Sequence, residues 1–218
     1  LKTIQKIFEK EIYKINTSNL SSIYENEEIF IKPKRRDMYK IKLGLLLERA
    51  ITMAKNLNEF LEPIKSLTIS SLDDKRYPFS SYAPFVKYNH KYYVYLSLMA
   101  KHSSNLTQNK IASIFFCEDE QSCENIFAKK RVSIQCNTLK LDQDTQKEQV
   151  ILNEFRNRFG KNMVDMLKKM GDFYLFEFTP FYGEAVFGFG QAYNLGGENF
   201  EEFIQRSSTS SNGHGNTK

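Results

Sequence analysis

His214 is the residue whose surroundings suggest chemistry rather than packing. It lies between two glycines in the C-terminal segment SSNGHGNTK, which contains no apolar residue that could belong to a core. A neutral imidazole binds metals well, and glycine neighbours leave the backbone free to bring it to a ligand. Two interpretations are open: the segment is a tail without function, or it is a tether that delivers one ligand atom to a metal.

A cluster of three cations is the second candidate. Lys129, Lys130 and Arg131 directly precede the alternating run RVSIQCNTL, which predicts a strand. Such a cluster can clamp phosphate or carboxylate groups, and the guanidinium of Arg131 suits paired hydrogen bonds to a carboxylate or hydrogen bonds to bound oxygen. The alternative is a solvated basic corner of the fold.

The segment VFGFGQAYNLGG is the third candidate, because Gly188 and Gly190 alternate there with Phe187 and Phe189. We expect this segment to be a strand. Glycine inside a strand indicates either a β-bulge or the close approach of another backbone or a flat ligand. The glycines do not form a dinucleotide fingerprint, since they follow a strand pattern but open no helix.

The remaining histidines and the cysteines carry weaker signals. His90 lies in a predicted hairpin turn, and His102 opens a polar turn before a predicted helix, where it is either a satisfied surface residue or a contact for an anion. Cys117 and Cys123 match no common zinc spacing, and Cys136 lies on a predicted strand as a small core residue. With three histidines in all, no Ser/His/Asp or Cys/His constellation stands out.

Composition narrows the class of protein. The chain has 218 residues, a net charge of +5 and a pI near 8.9, which suit an anionic small ligand but fall short of a nucleic-acid-binding surface. Three cysteines cannot all pair, which favours a reducing, cytoplasmic setting. No leader pattern opens the chain, and its longest aliphatic run, 45–47, is too short to span a bilayer. We therefore expect a soluble cytoplasmic protein without membrane insertion.

The order of predicted elements favours an antiparallel barrel. Helical spacing predicts helices over 1–16 and 39–61, the second ended by Pro63, and further helical stretches at CENIFAKK and 147–169. Seven segments have strand character: SLTISSL, FSSYAPFVKY, KYYVYLSLM, IASIFF, RVSIQCNTL, DFYLFEFT and EAVFGFGQAY. Many short strands with few crossover helices predict an α+β, mainly β fold built on an antiparallel barrel. The predicted domains are a mainly helical unit over 1–62, the barrel over 63–206 and a flexible tail over 207–218.

Five segments together resemble a known family. FSSYAPF (79–85), YYVYLSLMAKHSSNL (92–106), IFFCEDE (114–120), KKRVSIQCNT (129–138) and GFGQAY (188–193) resemble the pyridoxamine-phosphate-oxidase-like, FMN-binding-like split β-barrel. Within it they are most similar to the HugZ-type heme oxygenases of bacterial iron acquisition. Members of that family carry an additional α/β unit ahead of the barrel, and the predicted N-terminal unit here looks like a reduced form of it.

The resemblance implies a homodimer with heme at the interface, where flavin-using relatives hold FMN. It implies that His214 is the axial ligand of the iron and that Arg131 is the arginine on the opposite side. Lys129 and Lys130 would pair with the propionates, and Gly188, Phe189 and Gly190 would contact the cofactor. The implied reaction opens the porphyrin with O2 and electrons from an external donor or reductase, and it releases iron, CO and biliverdin.

Two other functions compete with this reading. The first is an FMN-dependent oxidoreductase on the same barrel, with the FMN phosphate held by Lys129, Lys130 and Arg131. The second is a heme carrier or sensor without catalytic activity.

Overall fold

Alternating apolar and polar residues dominate the part of the chain described by a computed structural model, residues 57–197 and 202–206. The strands are β1 Ser66–Leu72, β2 Pro78–Tyr88, β3 Lys91–Ser97, β4 Ile111–Cys117, β5 Arg131–Lys140, β6 Phe173–Val186, β7 Ala192–Gly196 and β8 Glu202–Gln205. The helices are α1, described over 57–61, α2 Lys101–Gln108, α3 Gln146–Phe159 and α4 Lys161–Lys169. Short 3-10 turns occur at Glu120–Ser122 and Ile126–Ala128.

The strands form one antiparallel sheet that closes on itself. Its order is β3-β2-β1-β4-β5-β6-β7-β8, and an additional pairing of β3 with β6 closes the first six strands into a barrel. β7 and β8 continue the sheet beyond β6. The predicted fold class, a mainly β antiparallel split barrel with flanking helices, is confirmed.

The two faces of each strand have different environments, as β5 illustrates. Val132, Ile134 and Cys136 are fully buried inside the barrel, whereas Arg131 and Ser133 point to its outer face. Each large apolar side chain buried in this way stabilises the fold by about 1.5–3 kcal/mol. A second apolar cluster lies where α3 and α4 cover the outside of the sheet. The alternation therefore assigns every second residue of β5 to a surface that a ligand can reach.

The segment at 184–193 is not one continuous strand, contrary to our expectation. β6 runs without a break from Phe173 to Val186, and Gly188–Gly190 form a turn that leads into β7. The Phe187 amide donates to the Gln191 carbonyl at 3.0 Å and closes the turn. Gly188 and Gly190 have φ angles of 144° and 70°, and a Cβ added to Gly190 would meet no atom within 4 Å. These glycines therefore allow the backbone conformation of a hairpin turn, and they do not form a bulge within a strand.

The helical stretches also differ from the prediction. The stretch predicted over 147–169 consists of two helices, because Gly160 adopts a φ of 94° that ends α3 and begins α4. CENIFAKK forms only the 3-10 turn at Ile126–Ala128, with the Asn125 side chain accepting from the Phe127 amide. His102 lies within the first turn of α2, not in a turn before it.

Several predictions concern residues outside the described ranges. The helix over 1–16, most of the helix over 39–61 and the tail with His214 fall there, and the domain boundaries at 62/63 and 206/207 stay predictions. The described end of the second helix stops at residue 61, before Pro63, as expected. Within residues 57–197 and 202–206, no helix is both long and apolar enough to cross a bilayer.

Candidate functional site

Strand register brings two of the predicted site segments together. In the β5–β6 pairing Arg131 lies opposite Val186, so the basic cluster before Arg131 runs alongside the glycine turn after Val186. Cys117, the last residue of β4, lies opposite Arg131 on the other side. The cations and the glycines, more than fifty residues apart in the sequence, therefore meet at one end of the barrel.

A row of residues crosses the outer face of the sheet at this end. Its members, from β4 to the end of β8, are Cys117, Arg131, Val186, Ala192 and Arg206. On β4 to β7 the adjacent residues, Phe116, Val132, Ala185 and Tyr193, are buried in the core. The row therefore forms a continuous outward surface across five strands.

Arg131 has hydrogen-bonding capacity to spare on this surface. Its side chain is half-buried and donates from one terminal nitrogen to the Lys129 carbonyl at 2.9 Å. Within the described residues its guanidinium makes no other hydrogen bond, although it carries five N–H donors. One hydrogen bond thus holds Arg131 in place, and its remaining N–H donors can bind an anion or bound oxygen.

The two lysines of the cluster have different environments. Lys129 forms an ion pair with Glu120 at 3.3 Å. Desolvation alone would lower the pKa of Lys129, but the Glu120 hydrogen bond and the adjacent Cys117 thiol outweigh it and raise that pKa. Lys130 is exposed, and its bonds to Glu118 are made by the main chain: its amide donates to Oε1 of Glu118 at 2.7 Å, and its carbonyl accepts from the Glu118 amide at 3.0 Å. Within the described residues its ammonium makes no hydrogen bond or ion pair. Lys130 is therefore the lysine of the pair whose ammonium is available to a ligand.

Two clefts open beside Lys130 at the end of the barrel. One, of about 360 Å³, is lined by Glu59, Phe60, Lys130, Phe187 and Gln191. The other, of about 440 Å³, shares Lys130 and reaches Cys117 and Ser122. The rings of Phe60 and Phe187 meet edge to face at 5.9 Å. Taken together, the linings combine aromatic walls with the ammonium of Lys130 and the carboxylates of Glu59, Glu118 and Asp119. Among these lining residues, Lys130 is the group that can pair with an anion.

Exposed aromatic side chains border the basic cluster. Phe127, in the 3-10 turn just before it, is 83% exposed, and Phe189, in the glycine turn beside it, is 71% exposed. Large apolar side chains exposed next to cations mark a surface that a ligand or another protein covers. Phe189 and the two glycines thus lie beside the cations.

The other candidate residues lie elsewhere in the fold, in a turn, in a hydrogen bond to another side chain or in the core. His90 is in the exposed β2–β3 turn, where it and Asn89 both have positive φ angles, as the predicted hairpin requires. His102 is half-buried, its Nδ1 lies 3.0 Å from Oγ of Ser81, and burial lowers its pKa. Cys136 is fully buried in the core, as expected. His214 lies outside the described residues.

Sequence reasoning missed the residues that the register adds to the site. Phe60 and Gln191 line the cleft, Cys117 lies beside Arg131, and Phe127 borders the cations. The 3.6-residue period of the second helix could have identified the face that carries Phe60. No local pattern identifies the partners of Arg131, since they depend on pairing between distant strands.

Comparison with known proteins identifies the family. The sequence profile of the pyridoxamine 5'-phosphate oxidase family matches residues 53–187, more than half of the chain. The chain belongs to this family. The matched region ends at Phe187, so the glycine turn, β7 and β8 lie beyond it.

Two known proteins are similar to this chain in sequence and in structure. The heme oxygenase HutZ of Vibrio cholerae is 34% identical over 148 residues, which are 68% of this chain and 84% of HutZ. A crystal structure of HutZ, there described as a heme storage protein, matches with 32% identity and a TM-score of 0.56 over 58% of this chain and 88% of its own. ChuZ of Campylobacter jejuni matches with 30% identity and a TM-score of 0.67 over 76% of this chain and 66% of its own.

Proposed function

We propose that this protein is a heme oxygenase: it binds heme on the outer face of the barrel, between two copies of the chain, and opens the porphyrin ring. The observation that carries the proposal is the guanidinium of Arg131, half-buried on that face with donors to spare. Similarity to HutZ, named a heme oxygenase, supports the choice of heme as substrate.

The donor set at this end of the barrel fits heme. Heme is a flat apolar ring with two carboxylates, and its iron needs only one or two further ligands. Phe127 and Phe189 offer exposed apolar surface, and Lys130 offers a free ammonium for a propionate. Lys129 is the weaker propionate partner, because Glu120 already neutralises it.

The position of the last described residue supports His214 as the residue that would hold the iron. Three strand spacings of about 4.8 Å separate Arg131 from Arg206 along the row, so the two lie about 14 Å apart along the sheet. His214 follows Arg206 by eight residues, and eight residues reach at most about 26–29 Å. The imidazole can therefore reach a ring that covers Arg131 of the same copy.

The protein's part in the reaction is to bind, orient and donate hydrogen bonds. Bound heme supplies the iron that activates O2, and its own ring is the substrate that is opened. The His214 imidazole would hold the iron from one side. The Arg131 guanidinium would donate hydrogen bonds that stabilise negative charge as it develops during the reaction. Electrons come from an external donor or reductase, and iron, CO and biliverdin leave.

Spectroscopic titration tests the proposal against its two alternatives. The protein should develop a Soret band with hemin and bind FMN weakly; tight FMN binding with a flavin spectrum would instead support an oxidoreductase. Ascorbate and O2 should then bleach the Soret band and produce a verdin absorbance. A stable ferrous complex would contradict catalysis and support a carrier, the function suggested by the description of HutZ as a heme storage protein.

Replacing Arg131 by alanine should slow turnover far more than it weakens binding. Removing a donor that stabilises developing charge costs about 10²- to 10³-fold in rate, whereas the hemin Kd should change little. Single-turnover loss of the Soret band in the Arg131→Ala protein measures the rate. Lys130→Ala is the matched comparison, because it should raise the hemin Kd and leave turnover of bound heme unchanged. The reverse pattern would make Arg131 a propionate clamp.

A further inference from the structure

A third cleft opens where the β2–β3 turn meets the start of α3, and we call it the α3 cleft. It has a volume of about 410 Å³, and its described lining contains no carboxylate. Tyr88 and Val150 supply apolar walls, and Lys91, Gln146 and Lys147 supply polar groups. A cleft of this size with apolar walls and a few polar groups is the usual form of a small-ligand site.

The α3 cleft is separate from the candidate heme site. Both of its lysines contact Glu177. On β6, Glu177 lies nine residues before Val186, the partner of Arg131. Nine residues of extended strand span roughly 30 Å. A heme that covers Arg131 therefore leaves the α3 cleft open to a ligand of its own.

The buried carboxylate of Glu177 holds both lysines at the cleft. Lys91 contacts it at 2.5 Å, and Lys147 forms a second ion pair with it. The hydroxyls of Tyr93 and Thr179 donate to it at 2.9 and 3.3 Å. A carboxylate has about four acceptor sites, which these four donors fill. Glu177 can therefore accept no further N–H group from either lysine.

Both ammonium groups keep donors for a second anion. Each carries three N–H groups, and in the described part of the chain Glu177 is the one hydrogen-bond or ion-pair partner of each. Two ammonium groups against one carboxylate also leave an excess of one positive charge at the cleft. The acidic residues near the start of α3, Asp144 and Glu148, pair with Lys168 instead. An anion bound in the cleft would balance that excess.

The first turn of α3 adds main-chain donors. α3 begins at Gln146, and among the described residues the amides of Gln146 and Lys147 have no hydrogen-bond partner, as is usual where a helix starts. Two N–H groups from each lysine and one from each amide give six donors on residues that line the cleft. A carboxylate has about four acceptor sites, whereas a phosphate monoester has three terminal oxygens with about six. The donors therefore match a phosphate group better than a carboxylate.

We propose that the α3 cleft binds a small phosphate monoester with an aromatic or aliphatic body. The phosphate would lie between the two lysines and the first turn of α3, and the body would lie against Tyr88, Val150 and Ile151. Lysine ammonium groups and helix N-termini both bind phosphate well. This site goes beyond the proposed heme chemistry and does not depend on it.

Titration of the full chain with phenyl phosphate tests the site. The amide resonances of 88–91 and 146–151 in a ¹H–¹⁵N spectrum should shift and reach saturation. Inorganic phosphate should bind about tenfold more weakly, because it buries no apolar surface. Benzoate should also bind more weakly than phenyl phosphate, because it accepts fewer hydrogen bonds. Added salt should weaken the binding of all three anions.

A charge series at Gln146 tests the site without disturbing Glu177. Gln146 is exposed, and an acidic residue at the first position of a helix is stabilising, so Gln146→Glu should fold. It should raise the Kd of phenyl phosphate about two- to fivefold, the effect of one exposed charge pair, and Gln146→Lys should lower that Kd by a similar factor. Lys147→Met should raise it about tenfold, through the loss of a hydrogen bond to a charged group. Asn162→Asp is the matched control and should leave the Kd unchanged, since it makes the same charge change in the first turn of α4, outside the cleft.

Four results would overturn the inference. Shifts that do not saturate, or that fall outside the two segments, would show that the α3 cleft is not a binding site. An equal Kd for Gln146→Glu and Asn162→Asp would show that net charge alone attracts the anion. Benzoate that binds as tightly as phenyl phosphate would exclude a phosphate site. Phenyl phosphate should also bind in the presence of hemin, and its displacement by hemin would contradict the separation of the two sites.

Discussion

Replacing His214 by alanine is expected to raise the hemin Kd on the order of tenfold or more and to change the spectrum of the complex. Loss of a residue that only supports a metal ligand costs about 10- to 100-fold in metal affinity, and loss of the ligand itself should cost at least as much. The iron would exchange an imidazole nitrogen for water, which shifts and weakens the Soret band. Absorbance titration of hemin into both proteins gives the Kd and the spectrum together.

Two controls make the His214 experiment specific. Added imidazole should restore the original spectrum of the His214→Ala complex, because the free ligand can occupy the vacated coordination position. His90→Ala should behave like the unmodified protein, since His90 lies in an exposed turn. An unchanged spectrum in His214→Ala, or its loss in His102→Ala instead, would show that the iron has a different ligand.

The second large effect is a loss of stability, predicted for replacement of Glu177, because Glu177 is a buried carboxylate between two lysines. It is 3% exposed and lies on β6. Lys91 on β3 contacts it at 2.5 Å, Lys147 at the start of α3 forms a second ion pair with it, and the Tyr93 hydroxyl donates to it at 2.9 Å. The carboxylate therefore joins a strand and a helix to the centre of the sheet.

The Glu177→Gln protein is expected to lose about 3 kcal/mol of unfolding free energy at neutral pH, the lower end of the cost of breaking a buried ion pair. The lower end applies because the two lysines keep 36% and 48% of their side chains exposed and can be solvated when the charge is removed. Urea unfolding at pH 7 measures the loss. Glu124→Gln, at an exposed position, should change the free energy by less than about 0.5 kcal/mol.

The stability of the protein should also depend on pH through Glu177. Burial alone would raise its pKa, but the hydrogen bonds from the two lysines and Tyr93 lower the pKa of Glu177 from 4.5 to about 2. A carboxyl with a lowered pKa in the folded state stabilises fully above its unfolded pKa and loses this effect as pH falls through the folded pKa. The unmodified protein should therefore lose more stability than Glu177→Gln between pH 5 and pH 2. An equal loss of stability in the two proteins over this pH range would contradict the assignment of the pH dependence to Glu177.

Local pattern determined the strands and the face of each residue on them. The alternation in RVSIQCNTL assigned Val132, Ile134 and Cys136 to the core and left Arg131 on the outer face, as the structure confirms. It failed at the glycine turn, because the apolar residues around Gly188 continue the strand period through a segment whose glycines have positive φ angles. It also failed at Gly160, where one glycine divides a helical pattern into two helices.

The site depended on register, which no local pattern encodes. Residue types alone identified a histidine, an arginine and two lysines with suitable chemistry, and they could not indicate which of them meet. Arg131 lies beside the glycine turn because hydrogen bonds pair it with Val186, more than fifty residues away in the sequence. The β6–β7 and β7–β8 pairings extend the row to Arg206. A shift of one residue would turn the whole set of side chains to the other face. The sequence by itself therefore determined the chemistry available to this protein, and packing of the barrel core, which selects the register, decided where that chemistry is assembled.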